Sequence, residues 1–141
     1  MLNLALRTHV GPDCNQKGSE VTTTKFRFDF SNSNPVTYEQ IEQIEDQVRS
    51  IISHGAVVYK RTCSLAEARR IRTLRAVFGE VYPDPVRVVS VGADVEALLA
   101  EPDSDKWQAM SVEFCGGTHL DDAKEARYQP PTSSLYTAYA Y

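Results

Sequence analysis

The sequence predicts an α+β domain, a single sheet with helices packed on one face. Three observations lead there. Segments with apolar residues every three to four positions are interleaved with segments that alternate polar and apolar or run β-branched. Capping residues open the helical segments, and glycine or proline closes them. Finally, 141 residues with 42% hydrophobic side chains suffice for one buried core in one ordinary domain.

Taken in order, Leu2, Leu6 and Val10 recur every four positions and Gly11-Pro12 stops them, so the first ten residues read as the end of a helix. Asp13 to Glu20 reads as a polar loop. In Lys25-Phe26-Arg27-Phe28-Asp29-Phe30 three aromatics alternate with three charges, the mark of a half-buried strand. Its phenylalanines are expected in the core rather than as a base-stacking platform. After a turn cluster at Ser31 to Pro35, Thr37 and Gln40 form a capping box. The helix they open carries Ile41, Ile44, Val48, Ile51 and Ile52, with Gly55 just past its end. A short strand, Ala56 to Tyr59, follows. Ser64 and Glu67 form a second capping box for a helix with the stripe Leu65, Ala68, Ile71 and Leu74. Pro83-Asp84-Pro85 breaks the chain, and Val86 to Val91 is β-branched enough for a central strand. Asp94 caps a short helix, Val95 to Leu99. Met110 to Phe114 is a last strand, ending at Cys115-Gly116-Gly117-Thr118-His119. Tyr128 to Tyr141 shows no period and reads as frayed tail.

Composition excludes several classes. No apolar run approaches the ~18 residues of a membrane span, and the N-terminus lacks the pattern of a secretory signal. Three cysteines, Cys14, Cys63 and Cys115, are too few and odd in number for a disulfide scaffold, so a reducing, cytoplasmic setting is expected. A net charge of −4 gives no bulk attraction for nucleic acid, so any RNA contact needs a local patch.

Cys115 and His119, four residues apart with two glycines between, are zinc ligands by type. A buried structural cysteine near a turn histidine is the alternative, since zinc wants four positions filled. His54, in the last turn of its helix, suits the helix dipole better than a metal. Gln16-Lys17-Gly18-Ser19 reads either as a phosphate-contacting loop, with Lys17 as charge and Gly18 supplying an unusual backbone angle, or as a polar turn. Arg69, Arg72 and Arg75 fall every three positions opposite the apolar stripe. They form either an RNA-backbone patch or a solvated basic face.

Four motifs in register carry a resemblance: Gln16-Lys17-Gly18-Ser19, Arg27-Phe28-Asp29-Phe30, Tyr82-Pro83-Asp84-Pro85-Val86-Arg87-Val88-Val89-Ser90-Val91-Gly92, and Ser111-Val112-Glu113-Phe114-Cys115-Gly116-Gly117-Thr118-His119. Together they closely resemble the editing domain shared by threonyl- and alanyl-tRNA synthetases (their second additional domain) and the free-standing alanyl-tRNA editing proteins. The resemblance covers residues 1–122, leaving 123–141 as an irregular tail. The Tyr-Pro-Asp-Pro variant and the insert from Asp94 to Lys106 resemble the eukaryotic-type synthetase.

The resemblance implies hydrolysis of the ester of mischarged Ser-tRNA(Ala) or Gly-tRNA(Ala). The need is physical, because a site for alanine rejects an added hydroxyl or a missing methyl only about 10–200-fold. It also implies a zinc ion held by an H-x-x-x-H pair together with Cys115 and His119, so two of four ligands are present here. Gln16 matches the pocket glutamine of the family and is the expected catalytic-site residue. Lys17, Gly18, Arg69 and Arg72 are the expected contacts to substrate. The family's H-x-x-x-H stands directly before a segment like Leu2 to Arg7, and Met1 takes the position after its second histidine, so the domain reads as truncated at both ends. The expected partner is the acceptor end of tRNA(Ala), with no membrane, and with self-association through an incomplete sheet edge. The alternative is a catalytically silent tRNA-binding remnant. No stretch resembles an ATP-dependent aminoacylation site.

Overall fold

In a computed structural model, which describes residues 1–77 and 79–126, the apolar patterns sort the chain into two small cores. The first helix, α1 (Leu2–His9), buries Leu4, Ala5 and Leu6. It packs against α2 (Tyr38–His54), whose start and stop follow from local chemistry. Thr37 accepts from the Gln40 amide, the Gln40 side chain returns the favour to the Thr37 N–H, and Gly55 closes the helix at φ 72°. Gln40 also donates through Nε2 to the His9 carbonyl at 3.0 Å, tying the two helices. Ala5, Leu6, Cys14 and Ile44 form this core, with Phe28 and Phe30 laid against it.

Those phenylalanines belong to β2 (Phe26–Phe30), which pairs antiparallel with β1 (Gln16–Val21) as a separate two-stranded ribbon. The expected polar loop over Asp13 to Glu20 is therefore mostly strand. Nothing in Gln16 to Val21 alternates apolar with polar, and its strand character comes from pairing with β2. The alternation in β2 is also only partly used: Phe28 and Phe30 are half-buried, but Phe26 is 59% exposed and stands opposite exposed Val21.

The second core sits on a three-stranded antiparallel sheet, β3 (Val58–Cys63), β4 (Val86–Val91) and β5 (Ser111–Phe114), with β4 in the middle. The α+β class holds, but the expected single sheet is two. Short-range pattern fixes which segments are strands, not which strands pair across the chain. Val86, Val88 and Ser90 of β4 are buried at successive alternate positions, as the pleat requires. Val95 and Leu98 of α4 (Val95–Ala100), which Asp94 caps, lie in the same core as Trp107 from a 3₁₀ turn at Asp105–Ala109.

The helix after Ser64 is shorter than expected. Only α3 (Leu65–Ala68) is helical, opened by its capping box. Beyond it the amides of Ile71 and Leu74 bond to carbonyls three residues back, and the Arg72 amide leaves the ladder for the Pro102 carbonyl. Arg69, Arg72 and Arg75 consequently do not share one helix face. The strand expected at Ala56 to Tyr59 runs instead as β3, four residues further.

Both edges of the three-stranded sheet carry other backbone. The Arg75 amide donates to the Val112 carbonyl at 2.9 Å, and the Phe114 amide donates to the Arg75 carbonyl at 3.1 Å, covering part of β5. At the other edge the Val58 amide donates to the Asp121 carbonyl at 2.9 Å. The open edge expected to drive self-association is thus partly closed at each side. Ala123–Glu125 forms a 3₁₀ turn that packs on α2 with Ala123 buried, so ordered backbone continues past residue 122. The expectation of a frayed tail at Tyr128 to Tyr141 lies outside the described residues. Among the described residues no helix is long and apolar enough to cross a membrane.

Candidate functional site

Phe114 is drawn into the core at the end of β5, and Cys115 follows it, half-buried. The register Val88–Phe114 sets Arg87 of β4 opposite Cys115. The Cys115 amide donates to the Arg87 carbonyl at 3.3 Å. In return Arg87 Nε donates to the Cys115 carbonyl at 2.9 Å, and Arg87 Nη2 donates to the Gly117 carbonyl. One guanidinium thus holds two carbonyls of the turn that carries the thiol.

The two glycines have a smaller role than their placement suggests. Neither Gly116 nor Gly117 has a positive φ, and Gly116 has open space where a Cβ would stand. At Gly117 a Cβ would lie 3.7 Å from Cys115 Sγ, an ordinary contact. The turn is held by Arg87 rather than by a backbone conformation that only glycine adopts.

At the far end of this loop His119 is half-buried, and its Nε2 is shielded from solvent with no hydrogen-bond partner among the described residues. Burial pushes its pKa below the ordinary histidine value, the Arg87 and Lys60 charges push it further, and Glu113 opposes them. Burial therefore favours the neutral imidazole, the form that binds a metal. Burial also raises the Tyr82 phenol, whose ring packs on Phe114 at 4.7 Å and whose hydroxyl accepts from the Val77 amide at 2.8 Å. Asp84 accepts from the Leu65 amide at 3.0 Å. The Tyr82 to Pro85 motif thereby braces the strand end beneath Cys115 and caps α3.

Cys115 and His119 share this loop, and their donor types suit zinc: a thiol, and an imidazole with an unpartnered buried nitrogen. Among the described residues, however, no group of three or more His, Cys, Asp or Glu side chains is gathered to hold a metal.

The other expected contacts fall elsewhere. Gln16 opens β1, and its side-chain amide donates to Ser19 Oγ at 3.1 Å along the same strand. Lys17 occupies a bulge between Gln16 and Gly18. Gly18 lacks the unusual backbone angle expected of it. Its glycine instead answers to Asp29 across the ribbon, whose Oδ2 would stand 3.0 Å from a Cβ at that position. Arg69 caps the C-terminus of α3 and is exposed, while Arg72 is paired with Asp105. Lys60 and Arg61 are likewise paired, with Asp121 and Glu96. Arg87 was not singled out from sequence, although it is the one charged residue in the β-branched run Val86 to Val91, which is the signal that marks it.

No family model matches the chain. It is similar to alanine–tRNA ligases from several eukaryotes. It is 51% identical over 120 residues to that of Candida albicans, covering 85% of this chain and 12% of the relative. To the Schizosaccharomyces pombe enzyme it is 45% identical over 127 residues, 90% of this chain and 13% of the relative. To the cytoplasmic alanine–tRNA ligase of Dictyostelium discoideum it is 46% identical over 133 residues, 94% of this chain and 14% of the relative. The chain thus spans about 12–14% of the length of these relatives.

Proposed function

The chain is homologous to one segment of the alanine–tRNA ligases, and from that premise we propose that it is an aminoacyl-tRNA editing unit, which hydrolyses the ester of Ser-tRNA(Ala) or Gly-tRNA(Ala). The observation that carries this reading is His119 Nε2, buried and without a partner among the described residues, on the loop that Arg87 clamps around Cys115. A buried nitrogen left unpaired is costly, and such a group marks a place where a ligand completes the site. Zinc is the ligand that suits a thiolate and an imidazole. The chain's own part is to hold these two donors, with the remaining donors coming from outside the described residues. Bound there, zinc would lower the pKa of a water or polarise the ester carbonyl. The cytoplasm is the proposed setting, in keeping with three free cysteines.

The test pairs metal content with turnover. Protein purified in chelator-free buffer with added zinc is analysed for metal per chain, and then offered Ser-tRNA(Ala). Zinc that the parent retains and Cys115→Ala loses, with deacylation that Cys115→Ala lowers, is the expected result. Absence of hydrolysis in excess zinc would sink the editing reading.

A second reading has its own observation. The absence of a third metal-ligating side chain beside Cys115 and His119, among the described residues, favours a catalytically silent tRNA-binding unit. That reading expects salt-dependent binding of tRNA(Ala) with no loss of the aminoacyl group.

A further inference from the structure

Beside β5, whose end leads into the Cys115–His119 loop, a cleft of about 440 Å³ opens between α1 and the turns that follow α3. Arg7 and Thr8 of α1 line it, with Arg72, Thr73 and Arg75 from those turns and Gln108 from the 3₁₀ turn. Three arginines line it and no carboxylate is among its lining residues, although Glu113, bridged to Arg75, lies close enough to act on Arg7.

The three arginines are not equivalent. Arg72 is already answered by exposed Asp105. Arg7 Nε and Arg75 Nε are both buried without a hydrogen-bond partner among the described residues. Thr73, only 6% exposed, leaves its Oγ1 equally unpartnered. Burial and the charge of Arg75 both push the Arg7 pKa down, with Glu113 opposing. Two like charges held together with orphaned donors are unfavourable unless something completes them. The missing partner must be an anion with several acceptor oxygens, able to take two guanidinium groups and a hydroxyl at once. Phosphate has that chemistry, and guanidinium forks match its geometry.

We propose that Arg7, Thr73 and Arg75 form a phosphate subsite that holds a backbone phosphate of bound RNA. The cleft sits on a chain of net charge −4, so the attraction is local. The RNA assignment rests on the editing-unit reading; the phosphate subsite itself does not. Of the Arg69, Arg72 and Arg75 patch read from sequence only Arg75 enters this subsite, because beyond the short α3 Arg75 lines the cleft with Arg7 while Arg72 pairs with Asp105.

The experiment uses the whole chain with ¹⁵N-arginine labelling and follows the Arg Nε–H resonances. Sodium pyrophosphate and a short RNA hairpin ending in a single-stranded acceptor tail are added in separate titrations. The expected result is that both ligands shift the Arg7 and Arg75 Nε–H signals and leave that of Arg69 in place. Hairpin binding by Arg75→Met is expected to fall about tenfold, with the salt slope shallower by about 0.9. Arg69→Met is expected to change neither. Shifts with pyrophosphate alone would overturn the RNA assignment and keep the subsite. Shifts with neither would overturn the proposal, whether or not the chain deacylates Ser-tRNA(Ala).

Discussion

Replacing Arg87 by methionine tests whether that side chain shapes the Cys115 loop. Methionine keeps an unbranched apolar stem along β4 and removes the guanidinium donors. The bond from Nε to the Cys115 carbonyl, 2.9 Å and partly buried, is a charged-donor bond of the kind that contributes about 1.5–3 kcal/mol. The Nη2 bond to the Gly117 carbonyl is exposed and adds less than about 1 kcal/mol. Loss of both is expected to lower unfolding stability by about 2–3 kcal/mol. Part of that loss should appear locally. The Cys115 amide donates to the Arg87 carbonyl, so its protection reports how often the loop opens. Hydrogen exchange at that amide should rise about 30- to 100-fold in Arg87→Met, with Arg87→Lys in between, since each 1.4 kcal/mol is a factor of ten. Exchange within threefold of the parent, at unchanged stability, would refute the idea that Arg87 holds the loop.

Two further outcomes follow from the fold. Glu67 accepts from the Ser64 hydroxyl and amide, which holds its carboxyl below the ordinary value near 4.5. A carboxyl lowered in the folded state stabilises above the unfolded value and loses that contribution as pH falls through the lowered one. Urea midpoints should therefore drop below about pH 4.5 in the parent and drop less in Glu67→Gln; equal slopes in the two would contradict this. Gly55→Ala places a Cβ at φ 72°, 2.5 Å from Lys124 Cε. The backbone conformation should cost about 1–2 kcal/mol by thermal melting, and because the Lys124 chain can swing aside, adding Lys124→Ala should recover little of it. Full recovery in the double variant would assign the cost to the clash.

Where the sequence was legible, local chemistry decided the structure. Thr37 with Gln40 and Gly55 bound α2 to the residue, and Asp94 and Ser64 each open the helix they cap. The β-branched run in β4 reads as central because it is. The stripe Leu65, Ala68, Ile71, Leu74 misled, yet its spacing carried the answer: a strict period of three fits successive three-residue turns better than an α-helix. Residues Gln16 to Val21 carried no such signal, since polar side chains become a strand there by pairing with β2. At the candidate site, ligand type was readable in Cys115 and His119, while the clamp that positions them was not. Arg87 is 28 residues away in the chain, and only the register of β4 on β5 brings it opposite the thiol.

Arg75 has a second consequence, through its main chain. Its amide and carbonyl are both bound to β5, so its Cα is fixed before any anion arrives. A side chain anchored in this way loses less freedom on binding than one carried by a loose loop, and the difference goes into affinity. The same two bonds occupy an edge that could otherwise recruit another strand. Position 75 therefore answers to two selective pressures: side-chain changes would alter anion capture alone. A proline, lacking the amide, would also unpin the edge and make the chain prone to aggregate.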